Sequence, residues 1–294
     1  MCYKVVGLAA AVFSLGLIQA ASAADMPAKA PVYKAPVAVA PSWAGFYIGG
    51  DIGVGRMSGP TYTFADPGGA AFFSCGPCGA FYNSQSQSGD NKSGLLGGLH
   101  LGYNWRFAPM WLAGVEGDFT WASMKNSVNS SLTNLPFVPV VDGSNLSFET
   151  NLKWLASLRG RVGLIQNDWL FYATGGVAWA DMKLSANASC PPPAVASGCV
   201  LTSGTEAPFS LSTVRTGFVV GGGLEWQMPA SQWRVRAEYL YYGFNTSNSG
   251  SSLFVALPGG GPLPCIVTAT CSADYTFGKM NVQTARIGLS YAFH

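Results

Sequence analysis

Cys75, Gly76, Pro77 and Cys78 carry the spacing of a redox-active dithiol, in which a lowered thiol pKa lets two cysteines exchange electrons. Such a pair needs a strand before it and a helix opening after it. Here the neighbours are Gly, Ser, Asn and Gln, and no helical period follows. Cys190 and Cys199 share a second polar stretch, and Cys265 and Cys271 a third. The spacing predicts three local disulfides, each pinching one loop, with none of these cysteines in a strand. Histidine is scarce: His100 lies in patterned sequence and His294 ends the chain. A zinc site or an acid–base catalytic set needs several convergent His, Cys or carboxylate groups. No such grouping is evident in the sequence, and no phosphate loop or dinucleotide fingerprint has its strand-to-helix setting. The expectation is therefore no enzyme, no cofactor and no metal.

The remaining chemistry is ionic, and its placement is regular. Asp51, Glu116, Asp118, Glu225 and Glu238 alternate with large apolar residues, as do Arg106, Arg159, Arg161, Arg215, Arg234, Arg236 and Arg286. Around Arg159 and Arg161, for example, Leu158, Val162 and Leu164 hold the opposite parity; around Arg234 and Arg236, Trp233, Val235 and Tyr239 do. A period of two is the signature of a strand with two unlike faces. The rhythm begins near Trp43 and recurs to the end of the chain, in eight segments of roughly 12 to 16 residues. A tilted strand crosses a bilayer in about 9 to 11 residues.

Short turns fall near 108–110, 166–168 and 229–232, and long polar stretches at 57–92, 126–149, 185–212 and 245–280. Short turns at one rim and long loops at the other define an outer-membrane barrel. The fold class expected is all-β: an eight-stranded antiparallel transmembrane β-barrel with short periplasmic turns and four long extracellular loops. Lipid then covers the apolar face, and the arginines and carboxylates form a paired network in the lumen, since isolated buried charge is costly. His100 joins that network, placed to face Glu116 or Asp118. Trp43, Trp105, Trp111, Trp121, Trp169, Trp179, Trp226 and Trp233 fall near strand ends, where interfacial girdles need them. Glycines inside the strands, such as Gly97-Gly98 and Gly221-Gly222-Gly223, leave room for curvature and bulky inward side chains. Eight strands enclose a lumen that side chains can fill, so a general diffusion pore is not expected.

Composition agrees. The 294 residues are 49% hydrophobic but only 10% charged, against about 25% charged in soluble domains. Residues 1–23 read as an export signal: Lys4, an apolar run from Val5 to Ile18, and the small-residue site Ala21-Ser22-Ala23. Its removal takes away one lysine and lowers the formal net charge from +2 to +1, which offers nothing to nucleic acid. Residues 24–42, with Pro27, Pro31, Pro36 and Pro41, read as an extended periplasmic linker. The barrel is expected over 43–294.

Ser42 to Gly55 (SWAGFYIGGDIGVG), Arg236 to Phe244 (RAEYLYYGF) and Val282 to Phe293 (VQTARIGLSYAF) resemble the small outer-membrane immunogenic proteins, also termed porin-family or OmpA-like β-barrels. The resemblance implies a bacterial outer-membrane location, contact with lipid and lipopolysaccharide, and a final strand read by the barrel-assembly machinery through Phe293. It also implies a barrel that supports the envelope and displays loops to host or solute partners. The alternative it offers is a narrow channel or a hemin or solute uptake component. The long loops contain no histidine, so they lack an axial histidine ligand for hemin.

Overall fold

The computed structural model describes residues 43–65, 85–131, 145–189, 206–256 and 269–293. The expected signal and linker, and Cys75, Cys78, Cys190, Cys199 and Cys265, lie outside the described residues. Twelve strands follow one another: β1 Gly45–Met57, β2 Thr61–Ala65, β3 Gln85–Ser88, β4 Lys92–Arg106, β5 Trp111–Ser131, β6 Asn145–Gln166, β7 Trp169–Ser189, β8 Glu206–Gln227, β9 Trp233–Phe244, β10 Asn248–Ala256, β11 Ala269–Phe277 and β12 Met280–Ala292.

Eight of them close an antiparallel barrel in the order β1-β12-β9-β8-β7-β6-β5-β4. First and last strands meet from Tyr47 opposite Ala292 to Met57 opposite Val282. The two faces follow the period of two. Leu158 is 59% exposed and Arg159 next to it 1%. In β7 the outward face runs from Trp169 to Trp179; ten residues of strand tilted by about 40° span about 25 Å, the height of an apolar band. Aromatic rings border this band. Trp169 lies 6.4 Å from Trp226 and Trp233 5.2 Å from Tyr291 at the short-turn rim, while Phe119 lies 5.0 Å from Trp121 and 5.4 Å from Trp154 at the other. Above the second group the outer surface turns ionic, with Lys125 to Glu149 at 2.8 Å and Lys153 to Asp181 at 3.9 Å.

Trp43 departs from the girdle expected of it. It is 1% exposed and packs inside the barrel floor with Leu112, Ile165, Leu170 and Tyr172. A bulge in β6 between Leu152 and Trp154 is a second departure. Below it Ser157, Arg159 and Arg161 point inward; above it Leu152, Thr150 and Phe148 do. One extra residue thus reverses the parity, and Lys153, placed on the lumen side by alternation alone, comes out beside Trp154.

The long loops also differ from expectation. β5 to β8 are 21 or 22 residues long, about twice what the bilayer requires, and so continue past it. The stretches 57–92 and 245–280 contain a second sheet, in the order β10-β11-β2-β3. Cys271 belongs to β11, opposite Phe254, which corrects its placement in a loop. Tyr62, Tyr275 and Phe277 of this sheet pack on Phe148 of β6, with Tyr62 stacked at 4.9 Å. The Tyr62 hydroxyl donates to Thr150 at 3.1 Å, and burial pushes its phenol up to about 12.

Arg215 fastens this sheet rather than joining the lumen network. Its Nε donates to Asn248 Oδ1 at 2.6 Å, and its Nη atoms to the Gly278 and Phe277 carbonyls at 2.8 and 3.1 Å. Arg215→Ala leaves those acceptors without their donor, costing the outer sheet about 1–3 kcal/mol. Limited proteolysis of the folded protein should cut the outer sheet faster, while the membrane-embedded fragment stays intact.

Candidate functional site

The lumen holds three layers. At the floor, the guanidinium of Arg234 lies 4.7 Å above the Trp43 ring, and its Nε donates to Gln227 at 2.8 Å. Asn104 donates from its side chain to the Trp43 carbonyl at 3.3 Å. At the outer end, Met57, Leu96, Met124, Leu152, Leu155, Met182, Val219, Leu240, Phe244 and Val282 form an apolar layer continuous with the core of the outer lobe. Between the two lies the ionic layer.

Glu116 is its centre. Arg236 holds both its oxygens at 3.1 Å, Arg159 donates at 2.5 Å, Arg161 at 3.2 Å and the Tyr47 hydroxyl at 2.6 Å. Arg159 also reaches Glu238 at 2.9 Å, and the Tyr172 hydroxyl donates to the same oxygen at 2.9 Å. Arg161 makes a two-pronged contact with Glu225 at 2.7 and 3.3 Å. Its guanidinium sits between the Tyr47 and Tyr172 rings, 4.9 and 4.8 Å from their centres. Arg286 donates to Asp118 at 2.8 Å and to the Tyr242 hydroxyl at 2.5 Å; Ser157 also donates to Asp118.

Strand register explains part of this pairing. Glu116 stands opposite Arg159, Glu225 opposite Arg236, and Glu238 opposite Arg286. Other contacts cross the lumen, as from β9 to β5. Asp51, Glu116, Asp118, Glu225 and Glu238 supply five negative charges, and Arg159, Arg161, Arg234, Arg236 and Arg286 five positive ones, all of them buried. Arg106, expected in this set, stands exposed at the short-turn rim. It lies at the last position of β4, beyond the floor, and donates to the carbonyls of Ala108 and Pro109.

His100 is opposite Asp118 in register, but its ring turns the other way. Nδ1 lies 2.7 Å from Asp51 Oδ2 and Nε2 2.7 Å from Ser290 Oγ. Asp51 also meets Arg236 at 3.5 Å. The sequence reading missed Ser290, which is one of many small strand residues and is brought in only by the closure of β12 on β1.

Glycines make the sockets for these groups. A Cβ at Gly49 would meet the His100 ring at 2.5 Å, one at Gly288 the Asp51 carboxylate at 2.1 Å, and one at Gly102 the Tyr47 hydroxyl at 2.3 Å.

A closed antiparallel barrel with a lipid-compatible outer belt and a buried ionic lumen defines a transmembrane protein of the outer-membrane type. Residues 10–293 match the model of the outer membrane protein beta-barrel domain, and the chain belongs to that family and is a bacterial outer-membrane protein. It is 25% identical over 264 residues to a 31 kDa outer-membrane immunogenic protein of Brucella melitensis biotype 1, covering 83% of this chain and 92% of that one. It is 27% identical over 215 residues to a 22 kDa outer membrane protein of Rhizobium leguminosarum bv. viciae, covering 73% and 71%. Among solved structures, the outer membrane protein OprG from Pseudomonas aeruginosa aligns over 85% of this chain and 97% of its own, with 12% identity and a TM-score of 0.41.

Proposed function

We propose that this protein is a structural barrel without enzymatic activity, which supports the envelope and displays its outer lobe to host or solute partners. The observation that carries this reading is the lumen: five buried carboxylates balance five buried arginines, between a floor packed around Trp43, Leu112, Ile165 and Leu170 and an apolar outer layer. Such packing gives rigidity and leaves no evident conduit. Residues 1–23 act as the export signal, 24–42 as a periplasmic linker, and the last strand with Phe293 as the sequence taken up by the barrel-assembly machinery. Lipid and lipopolysaccharide surround the belt. Purified protein in planar bilayers should give no conductance steps; stable, reproducible channels would establish the narrow-channel or uptake reading instead.

One observation favours a second reading. Asp51, His100 and Ser290 have the connectivity of a hydrolase triad, with Nδ1 on the carboxylate and Nε2 on the hydroxyl. Burial argues against it, since Ser290 and His100 are each 1% exposed and a substrate carbonyl must approach within about 3 Å of the nucleophile. The triad more simply ties β4, β1 and β12 together at the closing seam. A fluorophosphonate probe should leave the folded protein unmodified; labelling confined to Ser290 would reverse that assignment.

A further inference from the structure

A pocket of about 540 Å3 lies at the short-turn rim, within the size range of small-molecule sites. Trp43 forms part of its wall. That side chain is 1% exposed, so it closes the inner wall and offers no polar atom to the cavity.

Arg106 and Asp168 also line the pocket. Arg106 uses Nε and one Nη on the carbonyls of Ala108 and Pro109. The turn therefore orients the guanidinium and leaves the other Nη, Nη1, without a partner among the described residues. Arg106 and Asp168 make no ion pair with each other within 4.0 Å. Two opposite charges are thus held apart around one cavity, whose remaining wall includes Pro109, Met110 and Ile165.

We propose that this pocket binds a small zwitterion with an apolar side chain, a free amino acid or a dipeptide, on the periplasmic side. Its carboxylate meets Arg106 Nη1, its ammonium meets Asp168, and its side chain lies against Met110 and Ile165. A guanidinium fixed at two of its nitrogens still offers a charge-assisted donor to a carboxylate. The carboxylate of Asp168 disfavours a simple anion and selects for the zwitterion.

Saturation-transfer NMR on the full chain folded in detergent micelles tests this with leucine, leucylleucine, leucinamide and N-acetylleucine. At least one zwitterion should bind saturably, and whichever of leucine and leucylleucine binds more tightly identifies the source. Leucinamide and N-acetylleucine should each bind about tenfold more weakly or worse, the loss of one charged contact. Arg106→Gln should abolish the preference for leucine over leucinamide, and Asp168→Asn the preference over N-acetylleucine. Both positions are exposed at the rim, and gel migration with and without heating verifies that each variant is folded. No saturable signal from either zwitterion, equal binding of all four probes, or discrimination that survives both substitutions would overturn the proposal.

Discussion

Glu116→Gln should be the most damaging single substitution in the barrel. Four side chains converge on this carboxylate, three of them arginines. The amide is nearly isosteric, so the change removes charge and leaves volume in place. It leaves the buried layer with one positive charge in excess and three guanidiniums short of a shared partner. Removing one member of a buried ionic cluster costs about 3–5 kcal/mol. Glu225→Gln, at a carboxylate that Arg161 holds through a two-pronged contact, should cost less. Reversible unfolding in lipid vesicles, followed by the shift between compact and extended forms on gels, measures both. Equal stability of Glu116→Gln and the parent chain would show that the layer is solvated and the lumen wet.

The second large effect concerns two neighbouring glycines on opposite faces of one strand pair. Gly176 points inward beside Arg159; a Cβ there would lie 2.0 Å from the Leu158 carbonyl oxygen and 2.7 Å from the Arg159 Cα. These are backbone atoms and cannot rotate away, so Gly176→Ala must separate the strands. A loss of about 1–3 kcal/mol is expected, or failure to close. Gly160 points outward, and its nearest contact would be the Gly175 carbonyl at 4.0 Å. Gly160→Ala should fall within about 0.5 kcal/mol of the parent, or gain slightly from reduced freedom in the unfolded chain. The same unfolding measurement, run on both variants, separates a steric requirement at the inner face from a general preference for glycine in strands. Equal effects at the two sites would refute the socket model.

The barrel and the lipid-facing belt were legible because the period of two persists through all eight segments, and lipid permits one solution to that pattern. Pairings across the lumen were not. Whether His100 meets Asp118 or Asp51 depends on the stagger between strands and on ring orientation, which local sequence does not encode. The bulge at Lys153 was hidden for a similar reason: one residue reverses every later side chain, while the residues themselves remain ordinary. Arg106 and Arg215 share the parity of the network arginines but lie beyond its ends, so depth along the axis, not facing, decided their partners. The outer lobe escaped notice because Gly, Ser and Asn dominate stretches that nevertheless place Tyr62, Tyr275 and Phe277 on one apolar face.

The distribution of the buried charges bears on how the molecule is built. Glu116 and Asp118 on β5 are matched by Arg159 and Arg161 on β6, and Glu225 and Glu238 on β8 and β9 by Arg234 and Arg236 on β9. Each of these hairpins is electrically neutral by itself within the mid-barrel. Only Asp51 on β1 and Arg286 on β12 must wait for the two ends of the chain to come together. A nascent barrel can therefore enter the bilayer hairpin by hairpin with no net ionic debt in the middle segments, and the final zippering of its two termini cancels the last pair.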